Sequence, residues 1–442
     1  MRKIGIILAV FLTQWMQAQE KIWTLDECIR YAVEHNPQRA KQEAQNKIYK
    51  QDRLEAITGF LPNLSAGSSI RLNFGRNIDP ETNAYKPINT FSNGYGIYSS
   101  MKLFDGFSQV YQAKMAKINR LKGDYQLQEV KDKLALETME LYFNVLYYKG
   151  TVNLAKQQLE ESEANLIRIQ RMEELGLKSV PDLAEIKAKE AEDRLALTKQ
   201  VNLLELEVIK LKTKMNFPVS DELSVADHEA IVSTGKTNDN ALDIYQQATS
   251  TLPRLRASEN TVKETEMQYK VARGRMMPSL TLNAGIETGF FRMMVDSIPY
   301  TAFNQQLKDN VGKYIGVTLS IPIFDGSRLT DTKRSKQRVI MAQSDNADLS
   351  RQVYGEIEQT VADVNGLSDE CMFTKKKAEA MYSAHQVNLR KYDEGLIDAL
   401  ELSTSANRLL NSRVEELYTN LKYQLKCKLL QYYKGETLWT YN

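Results

Sequence analysis

Histidine is the side chain best suited to bind a metal or move a proton near neutral pH, and this chain has three: His35, His228 and His385. They are far apart, and none has a carboxylate or second ligand at metal-binding spacing, so they read as isolated surface or linker residues. The three cysteines, Cys28, Cys371 and Cys427, show no paired spacing, and an odd number cannot close a disulfide framework. They read as small buried apolar side chains. Gly-rich phosphate loops, Gly-x-Ser-x-Gly nucleophile turns and paired-cysteine motifs do not occur. The carboxylates are plentiful but sit among lysines and arginines on helical stretches, where solvated faces and ion pairs account for them. No enzymatic centre, bound metal or cofactor is expected. The 58 Lys plus Arg and 56 Asp plus Glu leave a net charge of +2 with both signs interleaved, which gives no support to nucleic-acid binding.

What the residues do show is repetition. Pro37, Pro62, Gly106 and Gly176 recur as Pro253, Pro278, Gly326 and Gly395, at offsets of 216 to 220 residues. Leu103-Phe104-Asp105-Gly106 returns as Ile323-Phe324-Asp325-Gly326. The same order of helix breakers and turns twice over marks a tandem duplication.

At the N-terminus, Arg2 and Lys3 precede an apolar run from Ile4 to Leu12, followed by polar residues and Ala18, the pattern of a secretory signal peptide cleaved near Ala18. Charged residues make up 26% of the chain and every later apolar run is broken within a few positions. Membrane contact must therefore come from a barrel or from the surface. Thr24-Leu25-Asp26-Glu27 has capping-box spacing and predicts a short helix to about His35. Asn36 then caps a second helix that starts at Pro37 and runs to about Gly59.

From Asn63 the apolar period drops from 3.6 to 2. Leu64, Ala66, Ile70, Leu72 and Phe74 alternate with polar residues, and so do Ile97, Met101 and Leu103 in a partner from Tyr95 to Leu103. The second copy repeats this with Leu280, Leu282, Ala284 and Ile286, then Ile315, Val317, Leu319, Ile321 and Ile323. Strands of about 10 residues with one apolar face fit tilted membrane-spanning strands best, with a small soluble sandwich or a sheet packed on helices as the alternative.

Beyond Gly106 the helical period holds to Leu175, a rod on the order of 100 Å that no single globular core covers. The return from Pro181 to Met215 carries Leu197, Val201, Leu204, Val208, Leu211 and Met215 at alternating spacings of three and four, a coiled-coil packing seam. Gly150 and Gly366 mark either bends or helix junctions. Gly176 and Gly395 stop their helices in left-handed caps, each followed by an exposed leucine, Leu177 and Leu396, and a helix that restarts within about four residues. Asn216 to Asn240 joins the copies as a linker with little structure of its own. The chain thus divides into a signal peptide at 1–18, a first repeat at 19–215, a linker at 216–240, a second repeat at 241–435 and a tail at 436–442.

Four strands cannot close a barrel, and open edges cannot face lipid, so membrane-spanning strands would require other copies to complete the sheet. The duplication, the four strands, the Phe-Asp-Gly strand-to-helix junctions and the glycine turns together resemble the TolC-like outer membrane efflux protein family over about Thr24 to Gly435. The resemblance implies a mainly α chain with a small β part. Its duplicated long-helix hairpins would form an α-barrel, and its four strands would join a homotrimeric 12-stranded β-barrel in outer membrane lipid. It further implies an exit duct for efflux or type I secretion. An inner-membrane transporter and a periplasmic adaptor would be its partners, with the adaptor docking at the tips around Gly176, Leu177, Ser179, Gly395 and Leu396. Family members carry entrance carboxylates shortly after the tip glycine, and the positions six residues on are Asp182 and Glu401. Nine residues after the second tip glycine, where some members have another acid, this chain has Thr404. The alternative is a periplasmic adaptor-like coiled-coil protein; adaptors have one hairpin, and this chain has two.

Overall fold

The computed structural model describes residues 21–78, 82–226, 235–294 and 300–439. The expected signal peptide and His228 lie outside them. The elements in order are β1 (Ile22–Trp23), α1 (Leu25–His35), α2 (Pro37–Thr58), β2 (Asn63–Asn73), β3 (Arg76–Ile78), β4 (Tyr85–Pro87), β5 (Thr90–Phe104), α3 (Ser108–Glu174) and α4 (Val180–Met215), followed by β6 (Ser224–Val225), α5 (Ala241–Thr251), α6 (Pro253–Gly274), β7 (Ser279–Met293), α7 (Phe303–Asp309), β8 (Gly312–Ser320), α8 (Gly326–Asp393) and α9 (Ala399–Tyr433). Two compact units form. One contains Met1–Lys41, Leu127–Leu252 and Arg351–Asn442, and the other Gln42–Gln126 and Pro253–Ser350, so each takes residues from both copies.

The second unit holds an antiparallel sheet of order β2-β5-β7-β8. Its register aligns Ala66 with Ile97, Ile97 with Ile286, and Leu282 with Val317, so the alternating apolar residues of all four strands share one face. The other face is polar and small. A Cβ on Gly96 would lie 2.3 Å from the Tyr98 hydroxyl and one on Gly285 2.6 Å from the Tyr314 ring, so glycine lets Tyr98 lie flat along its own strand and Tyr314 lie over the neighbouring one. The final strand stops at Ser320 rather than continuing to Ile323, because Pro322 has no N–H to give a ladder. β7 runs on past Glu287, its last pairing with β8. There α7 and its cap supply side-chain amides in place of a strand. Gln306 accepts from Phe291 N and donates to Phe291 O, both at 2.9 Å, and Asn310 donates to Gly289 O at 2.8 Å. The polar loop expected between the first two strands contains the β3–β4 ribbon.

The first unit is helical. Thr24 and Glu27 form the expected capping box, and Asn36 Oδ1 accepts from Gln38 N at 2.9 Å at the start of α2. A core gathers Cys28, Ile29 and Val33 of α1, Leu134, Met139 and Phe143 of α3, Leu211 and Met215 of α4, and Leu421 of α9. The α4 seam therefore packs as its spacing predicts. Gly150 and Gly366 mark no helix junction, since α3 and α8 run uninterrupted through them. A Cβ on Gly150 would meet Leu417 at 2.4 Å, so glycine there permits a close approach of α9. Gly366 has no such neighbour, and nothing in the structure explains it.

Three parts of this unit are more ordered than the sequence suggests. Ser224–Val225 in the linker pairs in parallel with Ile22–Trp23, and Lys149 Nζ donates to Val225 O at 2.8 Å. Trp439, in the tail, is buried in the core. His385 is not a surface histidine: it is 1% exposed, with Nε2 2.7 Å from Glu161 Oε1 and Nδ1 3.2 Å from Ser405 Oγ, and so ties α3, α8 and α9 together. Its partners come from distant segments, which is why spacing could not reveal them. Cys28 and Cys371 are buried as expected, and burial pushes the Cys28 thiol up to about 12.

Asp132 is also buried in α3, held by Gln128 Nε2 at 2.7 Å and Tyr432 Oη at 3.2 Å, with no cation beside the carboxyl among its hydrogen-bond partners. Burial pushes its pKa up to about 6. The folded state thus holds this proton at pH values where an unfolded chain has released it, so stability falls as pH rises from about 4 to about 6 and is flat above. Asp132→Asn should raise the thermal midpoint at pH 7.5, by at most about 3 kcal/mol in stability, with the gain shrinking toward pH 4. Thermal melts of both proteins followed by helical circular dichroism across this range check it.

Candidate functional site

The two turns singled out in the sequence lie in the same unit and are built alike. At the first, Leu177 N donates to Met172 O and Gly176 N to Glu173 O, each at 2.8 Å. At the second, Leu396 N donates to Lys391 O at 2.8 Å and Gly395 N to Tyr392 O at 3.1 Å. These are paired Schellman caps, and they require the left-handed φ of +73° at Gly176 and +74° at Gly395. The residue after each glycine is thrown outward: Leu177 is 65% and Leu396 67% exposed.

The restarts differ in chemistry. Ser179 caps α4 in a complete capping box: its Oγ accepts from Asp182 N at 3.3 Å, while Asp182 Oδ2 accepts from Ser179 Oγ at 2.8 Å and Ser179 N at 3.2 Å. Those hydrogen bonds from Ser179 hold the Asp182 carboxyl below the usual aspartate range. At α9 the cap is Asp398, whose Oδ1 accepts from Glu401 N at 2.8 Å. Glu401 makes no side-chain hydrogen bond or ion pair among the described residues, and Thr404 is turned onto its own helix through Leu400 O at 2.8 Å. The two candidate carboxylates are therefore unequal, with Asp182 engaged in a cap and Glu401 unengaged.

Behind the exposed leucines the two hairpins share a small core of Ile169, Ile186, Tyr392, Ala399 and Leu402. Arg168 Nη1 meets Asp393 Oδ1 at 2.5 Å, and Lys178 Nζ sits 4.5 Å from the centre of the Tyr392 ring. Tyr392 is 2% exposed, and its hydroxyl has no hydrogen-bond partner among the described residues. Further along, the buried Lys189 bridges Asp193 Oδ1 at 2.6 Å on its own helix and Asn407 Oδ1 at 2.7 Å on α9. Sequence reasoning missed these links between hairpins, because Tyr392, Asp393 and Lys189 look like ordinary members of charged helical runs. Among the described residues no group of three or more His, Cys, Asp or Glu could hold a metal ion.

The cap asymmetry is testable. Ser179→Ala should cost about 1 kcal/mol locally. It should speed deuterium uptake over residues 180–186 and leave 399–405 unchanged, as read by hydrogen-exchange mass spectrometry.

Residues 244–432 match the family described as outer membrane efflux protein. The chain is 21% identical over 315 residues to the pyoverdine export outer membrane protein OpmQ of Pseudomonas aeruginosa, an alignment covering 70% of this chain and 62% of that protein's length. Its fold is shared with the outer membrane protein VceC of Vibrio cholerae (TM-score 0.79, 14% identity, 94% of this chain and 96% of VceC). The Campylobacter jejuni CmeC outer membrane channel has it too (TM-score 0.79, 15% identity, 93% of this chain and 85% of CmeC). The second copy thus matches the outer membrane efflux protein family directly, and the chain as a whole has the fold of these outer membrane channels.

Proposed function

We propose that this chain is the outer membrane exit duct of a tripartite efflux or type I secretion assembly, passing substrates from the periplasm or an inner-membrane pump to the exterior without changing them chemically. The observation that carries the reading is the sheet. Its outer strands, β2 and β8, each have one unpaired edge, and its apolar face leaves Leu64, Ile70, Ile315, Val317 and Leu319 exposed. No helix among the described residues is long and apolar enough to span a membrane, so a spanning segment must be made of strands. In lipid both free edges must be paired, and three copies bring the count to a 12-stranded barrel with the polar face lining an aqueous passage. The molecule is then a homotrimer in the outer membrane whose helical part projects into the periplasm.

In this arrangement the turns at Gly176, Leu177 and Ser179 and at Gly395 and Leu396 are the far ends of the hairpins. They present exposed leucines to a periplasmic adaptor, which couples the duct to an inner-membrane transporter. The continuity of two hairpins with four strands speaks against an adaptor-like protein. Of the two entrance carboxylates, Glu401 is the unengaged one. Three copies of Glu401 around the entrance form a ring of like charge that favours cations.

The purified protein should require detergent, run as a trimer and open channels in planar bilayers; a chain that stays monomeric in plain buffer would overturn the reading. Glu401→Ala should lower the cation-to-anion permeability ratio of those channels severalfold, and Asp182→Ala should lower it less. Unchanged selectivity in Glu401→Ala removes that residue from the entrance.

A further inference from the structure

The duplication makes a contact inside the chain a template for one between chains. Within the sheet-bearing unit, the start of α3 packs on the end of α6. Ser108 Oγ donates to Val271 O at 3.2 Å, and a Cβ on Gly106 would come within 2.1 Å of Gly274 O. The offsets that relate the copies carry Gly106 and Ser108 to Gly326 and Arg328 on α8, and Gly274 and Val271 to Thr58 and Glu55 on α2. The corresponding contact is not made within one chain, where β2 and β8 lie at opposite ends of the strand order and Arg328, Asp52 and Glu55 only line a common open hollow.

Both helices show the lack. α2 contains no buried residue, whereas its duplicate α6 buries Leu255, Ala257, Val271, Ala272 and others. A Cβ on Gly326 would find no neighbour closer than Phe324 at 4.0 Å, against the tight fit at Gly106. Apolar side chains stand exposed on both: Ile48, Leu54 and Ile57 on α2, Leu329, Ile340 and Met341 on α8.

The charges have diverged in a complementary way. The internal contact sets Ser108 against Val271; at the equivalent positions α8 carries Arg328 and α2 carries Glu55, with Arg334 six residues after the one and Asp52 three before the other. Arg275, Arg328 and Arg334 line a hollow of about 600 Å³ together with Asp325 and Asp331. Arg328 is braced there by Asp325 Oδ2 at 3.0 Å and by Arg275 O at 2.6 Å. Arg334, Asp52 and Glu55 have no ion-pair partner among the described residues.

We propose that α8 of one copy packs against α2 of the next in the way α3 packs against α6, and that Arg328 and Arg334 pair there with the partner subunit's Glu55 and the partner subunit's Asp52. This rests on the reading that the chain closes into a ring of copies. The interface is heterologous, the same head-to-tail contact repeating until the ring closes. The ion pairs fix which helix level meets which, while the flanking apolar residues supply the packing.

Charge reversal tests it on the full-length protein in detergent, with mass read by light scattering and native mass spectrometry. Arg328→Glu with Arg334→Glu should weaken assembly on the order of tenfold or more, and adding Asp52→Arg with Glu55→Arg should restore it. As a check independent of stability, Arg328→Cys with Glu55→Cys, in a chain whose three native cysteines are replaced by alanine, should form disulfide-linked ladders of chains under mild oxidation. Reversal without effect, reversal that the compensating pair fails to rescue, or absence of ladders overturns the proposal. So does a variant that keeps its trimer and instead loses bound anionic phospholipid. A wild-type protein that is itself monomeric sinks the ring reading, an outcome distinct from any of these.

Discussion

The backbone of a β-strand cannot be left half-paired in hydrocarbon. Each unmatched N–H or C=O there costs several kcal/mol, and no water is at hand to take it. A four-stranded sheet with an apolar face and two open sides is therefore an incomplete object, and most other features of this chain follow from how the incompleteness is resolved. Strand length, the flat tyrosines over glycine and the alternation of residue size all suit the wall proposed above, with lipid on one side and water on the other.

Gene duplication gives the wall its economy and its asymmetry. The two copies share an order of breaks, yet their outer elements occupy different surroundings: β5 and β7 are paired on both sides, while β2 and β8 are not. The same holds one level down, where α6 buries residues along its length and α2 buries none. A sequence that folds twice into one shape has thus acquired residues suited to being central in one copy and peripheral in the other. Burial in a single chain records which role each position took.

Much of this was readable before any coordinates. Period-two alternation from Leu64 and from Leu280, the capping box at Thr24, and glycines at 176 and 395 all express local physics that does not depend on distant residues. The end of β8 was misjudged for want of weighing one proline, Pro322, against a continuing apolar pattern. The polar links were invisible for a different reason. His385 and Glu161, or Lys189 and Asn407, are separated by more than two hundred positions, and a lone charged residue in a helix says nothing about which helix it will meet. The pair of glycine turns shows both cases at once, since their caps were evident from spacing, whereas Tyr392, buried beneath the exposed leucines, was not.

The amides of Gln306 and Asn310, which finish the outer end of β7 where β8 has already stopped, have a consequence for how the surface can vary. Side chains terminate that strand, and the main-chain ladder below it ends independently at Gly312. The outward loop can then lengthen, shorten or change its chemistry without shifting any rung beneath it. Sequence drift at this end of the sheet is thereby uncoupled from the register of the strands.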